Sequence, residues 1–239
     1  MNPVRFLITI ATFNEIENLP KLVAAIFEET DRFASEKNFS FDVLVIDDAS
    51  PDGTGEWCDA HAAEFPRLKC LHRPGKNGLG TAIIAAMRYA IEHDYERMIN
   101  LDADFSHHPR YLEALASGTA DVIVGSRYVR GGGIVGWPFF RHVMSRSINA
   151  FGRALLGLSV HDISGSYRNY RVSMLAKLDF SRFQSHGYSF FEEVLWRLKL
   201  VGASMAEVPI LFEDRILGKS KISLKESLTA VKTLLLLRR

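Results

Sequence analysis

Apolar and polar positions fall in blocks along the first half of this chain, and the period within the blocks switches in a regular order. Residues 4–11 (VRFLITIA) form a short β-type run, and a helical pattern follows over residues 15–36. Residues 41–48 (FDVLVIDD) read as a second, buried strand, 55–64 as a helix, 68–72 as a short strand and 78–93 as a helix. Residues 97–102 and 121–125 are further strands. This strand–helix alternation predicts an α/β fold whose mostly parallel sheet is covered by helices on both faces. No repeat, low-complexity tract or linker interrupts it, so a single domain is expected over residues 1–239.

The rhythm changes after Arg127. Gly131, Gly132 and Gly133 open a flexible stretch that leads through Trp137, Phe139 and Phe140 into a helical pattern ending near Leu158. Arg141, Arg146 and Arg153 interleave there with large apolar groups, and no acid appears. A basic amphipathic helix with aromatics suits a membrane surface, with guanidinium groups at headgroup level. The alternative is a core-packed helix with solvated arginines. A last helix is expected over residues 224–237, as a further interfacial contact, a docking site for a membrane partner or a core element.

Candidate chemistry concentrates at three strand ends. The apolar run 97–101 finishes in Asp102-Ala103-Asp104. Side chains at i and i+2 of a strand point the same way, so both carboxylates can reach one point beyond the carboxyl end, where open α/β sheets bind ligands. Two hard oxygen donors with nothing soft beside them suit Mg²⁺ or Mn²⁺, which bind one or two carboxylates together with substrate phosphates. Taken alone, a D-x-D is better explained by the start of a solvated loop. Thr12-Phe13-Asn14-Glu15 and the run 47–54 (DDASPDGT) end the first two strands. All three ends should lie on one sheet edge, with carboxylates of the first two accepting from a base or ribose. Asp52-Gly53 is also an ordinary turn pair. Lys76 and the glycines that follow enter a helix whose N-terminus favours anions. His107-His108 precedes Pro109 and reads as a helix start rather than a zinc site.

Composition narrows the partners. Lys plus Arg number 29 and Asp plus Glu 28, so no global field argues for nucleic acid. Cys58 and Cys70 are too few for a disulfide framework, and no C-x-x-C points to zinc or redox work. A reducing, cytoplasmic setting is expected, without a signal peptide or a membrane-spanning segment.

The motifs TFNE, DDASPDGT, KNGLGTA, DADFSHHP, GSRY, DISGSYR and VPI-x-FEDR-x-x-GKSK occur in that order along the chain. Together they resemble the family 2 glycosyltransferases of GT-A (Rossmann-like) fold, most closely the dolichol-phosphate mannose synthases, or polyprenyl-phosphate mannosyltransferases. The resemblance spans roughly residues 5 to 235. It implies inverting transfer of mannose from GDP-mannose to a dolichyl or polyprenyl phosphate with Mg²⁺ or Mn²⁺, on the cytoplasmic face of a membrane. A UDP-sugar-dependent sister enzyme, transferring glucose or an aminosugar, is the nearest alternative; a sugar-hydroxyl transferase and a non-catalytic subunit are more distant ones. It also implies a nucleotide-sugar-binding half over about residues 1–126 and an acceptor and membrane half over about 127–239. A small membrane subunit as partner is left open.

Carried over by motif, Thr12, Phe13, Glu15 and Asp48 match donor-nucleoside positions, and Asp102, Ala103 and Asp104 the donor and metal site. Arg127, Arg141 and Ser145 match acceptor-phosphate positions, while Arg215 and Lys221 match a basic loop closing over the phosphates. Asp104, Arg127 and Arg215 are the catalytic candidates. Departures from the pattern are Ala11 for a common proline, Phe13 for a common tyrosine and Phe191 for a common glutamine. The chemistry fits such an acceptor. A phosphate monoester has a second pKa of about 6 and is already an anionic nucleophile at neutral pH, so arginine forks that orient it matter more than a carboxylate base.

Overall fold

The computed structural model describes residues 2–185, 187, 189–214, 234–235 and 237. Nine strands and seven α-helices are described: β1 (Val4–Thr12), α1 (Leu19–Lys37), β2 (Phe39–Asp47), α2 (Thr54–Ala60), β3 (Leu68–His72), α3 (Leu79–Glu92), β4 (Arg97–Asp102), α4 (Leu112–Ala116), β5 (Val122–Ser126), β6 (Gly133–Val135), α5 (Phe139–Leu156), β7 (Arg168–Arg171), α6 (Val172–Leu175), α7 (Phe190–Leu200), β8 (Met205–Pro209) and β9 (Leu211–Glu213). The main sheet has seven strands in the order β3-β2-β1-β4-β7-β5-β8, and β6 and β9 pair beside it. Every pairing in the main sheet is parallel except those of β7, which runs antiparallel to β4 and to β5.

The strands read as unbroken apolar runs because both faces of the sheet are buried. Along β1, Leu7 joins one core with Leu44, Ile46 and Met98, under α3, α6 and α7. Phe6, Ile8 and Ile10 join the other with Val43, Val45, Ile99 and Leu101, against α1 and α4. The expected elements over residues 4–126 are all present, with ends shifted by a few residues; α1, for example, begins at Leu19, where Pro20 can occupy the first turn. The triglycine stretch is not wholly loop, since Gly133 starts β6 and pairs with Leu211. The expected terminal helix 224–237 lies largely outside the described residues. Among those described, no helix is long and apolar enough to cross a membrane.

Candidate active site

Register places the three chemistry-bearing strand ends side by side. Ala11 of β1 pairs with Asp102 of β4, and Thr12 pairs with Asp47 of β2. A cavity of about 410 Å³ opens at this edge, lined by Thr12, Phe13, Glu15, Asp48, Lys76, Gly78, Leu79, Asp102, Ala103 and Asp104 among others. Every donor and metal position named from the sequence therefore faces one cavity, apart from Arg215 and Lys221, which lie outside the described residues.

Each of these three loops contains a non-glycine residue in left-handed backbone: Asn14 (φ 62°), Ala49 (φ 55°) and Phe105 (φ 60°). Such a conformation costs roughly 1–2 kcal/mol per residue other than glycine, so the surroundings must hold it. Hydrogen bonds between the first two loops do so. The N–H groups of Asn14, Glu15 and Ile16 donate to Ser50 Oγ (3.0 Å), Thr54 Oγ1 (3.0 Å) and Asp52 Oδ2 (3.1 Å). Asp52 is thus a brace between loops. Burial acts against its charge, but donors from Thr54 and Ile16 outweigh that and keep its carboxyl below the ordinary range. Asp47 is a second brace, accepting from Thr12 Oγ1 (3.2 Å), Ser50 Oγ (2.5 Å) and Ser50 N–H (3.0 Å).

Asp48, by contrast, lines the cavity. Its partner is Arg73, with Nη1 2.8 Å from Oδ1. Burial raises the Asp48 carboxyl above its ordinary pKa, and Arg73 offsets only part of that shift. Sequence reading missed Arg73, although it directly follows β3 and so sits at the same sheet edge as the motifs. Lys76 lies 4.3 Å over the Phe13 ring, which brings a positive charge to the cavity wall. Gly78, in left-handed backbone at φ 93°, turns the chain into α3, whose first residue also lines the cavity.

The D-x-D pair is held from outside the cavity. Ser166 Oγ donates to Asp102 Oδ1 (2.7 Å), and Ser106 donates to Asp104 Oδ1 through both N–H (3.1 Å) and Oγ (2.5 Å). His107 accepts the Asp102 N–H at Nδ1 (3.2 Å), and burial lowers its pKa, so the ring is neutral and braces the strand end. His108 instead caps the turn at Pro109–Tyr111, accepting from Arg110 N–H at 3.2 Å, as expected of a helix start. Two carboxylates bordering the cavity, with no sulfur or imidazole among the described residues that line it, are a donor set suited to a hard divalent cation.

The acceptor positions gather in a neighbouring cluster, outside the lining of the donor cavity. Arg141 lies 3.9 Å over the Trp137 ring and pairs with Asp214 at 3.2 Å. Ser145 Oγ is 2.6 Å from Tyr128 Oη. Arg127 is buried, and its Nε and Nη2 grip Asp162, each at 2.7 Å. The planar fork expected to meet a phosphate is thus engaged by a carboxylate within the fold. Segment 162–166, recognised from sequence only as a motif, connects the two regions. Asp162 and Ser164 hold Arg127, while Ser166 holds Asp102.

The amphipathic helix is α5, and its first turn stands clear of the core. Phe139 is 83% and Phe140 68% exposed, with Val143 also exposed. Trp137 departs from the expected aromatic trio. Its ring packs between Arg141 and Phe212 (5.6 Å to the latter), because a flat ring under a guanidinium gains more there than in solvent.

Residues 7–179 match the family described as Glycosyl transferase family 2. The undecaprenyl-phosphate mannosyltransferase of Micrococcus luteus is 42% identical over 222 residues, spanning 92% of this chain and 88% of that protein. The polyprenol monophosphomannose synthase of Mycolicibacterium smegmatis is 42% identical over 224 residues, spanning 92% of this chain and 81% of that protein. Among solved structures, glucosyl-3-phosphoglycerate synthase from Mycobacterium tuberculosis, in complex with Mn²⁺, UDP-glucose and phosphoglyceric acid, superposes with a TM-score of 0.65 at 16% identity, covering 98% of this chain and 79% of that one. The mannosyltransferase PcManGT from Pyrobaculum calidifontis, in complex with GDP-Man and Mn²⁺, gives 0.57 at 17% identity, covering 92% and 59%. At such identities the likeness establishes the fold, which is the GT-A arrangement expected from the sequence.

Proposed function

Because this chain belongs to glycosyl transferase family 2, we propose that it transfers mannose from GDP-mannose to a dolichyl or other polyprenyl phosphate, with inversion and with Mg²⁺ or Mn²⁺. The observation that carries the reaction type is the single cavity on which the nucleoside loops and the D-x-D converge. The sugar and the lipid acceptor rest on the two relatives, each covering more than nine-tenths of this chain.

In this reading Asp48, Thr12, Phe13 and Glu15 hold the nucleoside, and the positive Lys76 faces the phosphates. Asp102 and Asp104 would hold the divalent ion, which when bound stabilises charge on the departing diphosphate. Ser166 and Ser106 keep the two carboxylates aimed, so little reorganisation is needed as that charge develops. Arg215 and Lys221 are assigned to the basic segment over the phosphates, from their place in the motif alone. No carboxylate base is required of the protein, because the acceptor phosphate supplies its own nucleophilic oxygen. Arg141 and Ser145 orient it, and Arg127 lies beneath them as a fixed positive charge. Arg127 Nη1 is the nitrogen that neither Asp162 nor Ser164 takes. The exposed face of α5 dips into the membrane surface beside this cluster, with Arg146 at headgroup level, which brings a lipid headgroup to Arg141 without a spanning segment. We place the enzyme at the cytoplasmic face, where the nucleotide sugar is supplied.

The test is transfer to a short polyprenyl phosphate from labelled GDP-mannose and, separately, from UDP-glucose, with Mg²⁺ or Mn²⁺ and with EDTA. Metal-dependent mannolipid from GDP-mannose is expected. Transfer from UDP-glucose alone would replace the donor, and efficient transfer to neutral polyprenol would overturn the phosphate mechanism.

A further inference from the structure

Away from the cavity, at the β3 edge of the sheet, the fold brings together three ligand types that are scattered in sequence. Cys70 and His72 stand two residues apart on β3 and so share a face. Asp59 comes from α2, which packs against that strand. One ligand atom from each of the three lies within 4.8 Å of the others, the one such group of His, Cys, Asp or Glu among the described residues. His72 Nε2 is 3.1 Å from Asp59 Oδ1, and His72 Nδ1 is 4.0 Å from Cys70 Sγ. Asp59 and His72 are exposed and Cys70 is half-buried, so an ion can enter from solvent.

A tetrahedral Zn²⁺ takes nitrogen and oxygen ligands at about 2.0–2.2 Å and sulfur at about 2.3 Å, which sets its ligands roughly 3.3–3.8 Å apart. The two short distances run to opposite nitrogens of the His72 ring, and one ion takes only one of them. The spacing to be closed is therefore the 4.8 Å limit. Side-chain adjustments of about an ångström or more reach the tetrahedral spacing, and the exposed Asp59 and His72 side chains can supply them. The mixture of thiolate, imidazole and carboxylate selects a borderline-soft ion and disfavours Mg²⁺. It is therefore chemically orthogonal to the all-oxygen D-x-D. We propose that Asp59, Cys70 and His72 form a Zn²⁺ site between α2 and β3, its fourth position open to water.

Such an ion clips α2 to the sheet directly behind the donor loop. His72 is the register partner of Asp47, and its ring packs so close to Gly55 that a Cβ there would lie 3.0 Å from it. The Cys58 thiol also faces Cys70 and, with burial, holds the Cys70 thiol above its ordinary pKa. Zn²⁺ must displace that proton, so reversible rather than irremovable binding is expected.

The test is Zn²⁺ titration of the whole chain, reduced, with excess Mg²⁺ present to occupy hard-oxygen sites. One equivalent of Zn²⁺ should bind, and Cys70→Ser or His72→Ala should each weaken it at least tenfold. Asp104→Asn should leave Zn²⁺ affinity unchanged. Co²⁺ in place of Zn²⁺ should give a thiolate charge-transfer absorption that Cys70→Ser removes, and the circular dichroism spectrum and melting temperature of each variant check that it is folded. The proposal is overturned if no saturable binding occurs, or if binding survives in folded Cys70→Ser and is lost in Asp104→Asn. A Co²⁺ complex without the thiolate band would overturn it equally.

Discussion

Asp104 combines two demands on one side chain: Ser106 ties its Oδ1 by two hydrogen bonds, while the residue still borders the donor cavity. Asp104→Asn keeps the shape and removes the charge. Transfer should fall roughly 10²–10³-fold, the cost of losing one preorganised electrostatic contact, while GDP-free stability stays near wild type. Unchanged turnover with saturating Mn²⁺ would remove Asp104 from the metal site. At the acceptor cluster, Arg141→Ala should cost about 1.5–3 kcal/mol of acceptor interaction, seen as a ten- to hundredfold loss of transfer. GDP affinity should change only a few-fold, and lysine should restore little because it lacks the planar fork. Parallel collapse of GDP binding would move Arg141 to the donor side. The residues that line the cavity were legible in the sequence as a group because they follow strand ends, where geometry leaves little choice. Arg73 and Ser166 were not, because each acts by reaching a residue from another element, and no local pattern encodes that.

At the scale of elements, α5 is the distinctive one. Three arginines and no acid are set among apolar side chains, and its first turn exposes Phe139 and Phe140. Such exposed rings are costly in water unless a surface covers them. The double change Phe139→Ser and Phe140→Ser should leave the fold intact and lower co-sedimentation with anionic vesicles several-fold. Raised salt should weaken the wild type as well. Equal sedimentation of variant and wild type would place the membrane contact elsewhere. The amphipathic pattern was readable, but which aromatics face out was not. Trp137 lies just before α5, and only the position of Arg141 and Phe212 decides that its ring turns inward.

For the whole molecule, the most consequential feature is a buried charge network linking β5, β7 and α7. Arg127 and Asp162 pair inside it, Arg168 is fully buried, and Glu192 carries a carboxylate oxygen with no hydrogen-bond partner among the described residues. Burial pushes Glu192 up to about 7, with Arg168 and Arg127 pulling down and Asp162 pushing further up. A carboxyl whose folded pKa lies above its unfolded value costs stability as pH rises from about 4.5 to about 7, and the cost then levels off. Glu192→Gln should therefore raise the melting temperature at pH 8 and leave it nearly unchanged at pH 4.5; the reverse ordering would contradict a protonated Glu192. Asp162 has the opposite sign. Burial acts against its charge, but Arg127 prevails and lowers its pKa, so its contribution is present at neutral pH and lost in acid. Asp162→Asn strands Arg127 and should destabilise by roughly 3–5 kcal/mol, measurable by denaturant unfolding.

The sequence by itself determined the α/β class, the near-continuous apolar strands and the single sheet edge that collects TFNE, DDASPDGT and the D-x-D. These follow from period and chain order, which act locally and leave a trace in every segment. Tertiary structure decided that β7 enters the sheet antiparallel between β4 and β5, since pairing direction depends on where a connection returns. It also decided that Arg127 spends its fork on Asp162, and that Asp59, Cys70 and His72 meet at the sheet edge. Each is a contact between residues distant in sequence, chosen by which elements pack together; a one-dimensional pattern carries no record of that choice.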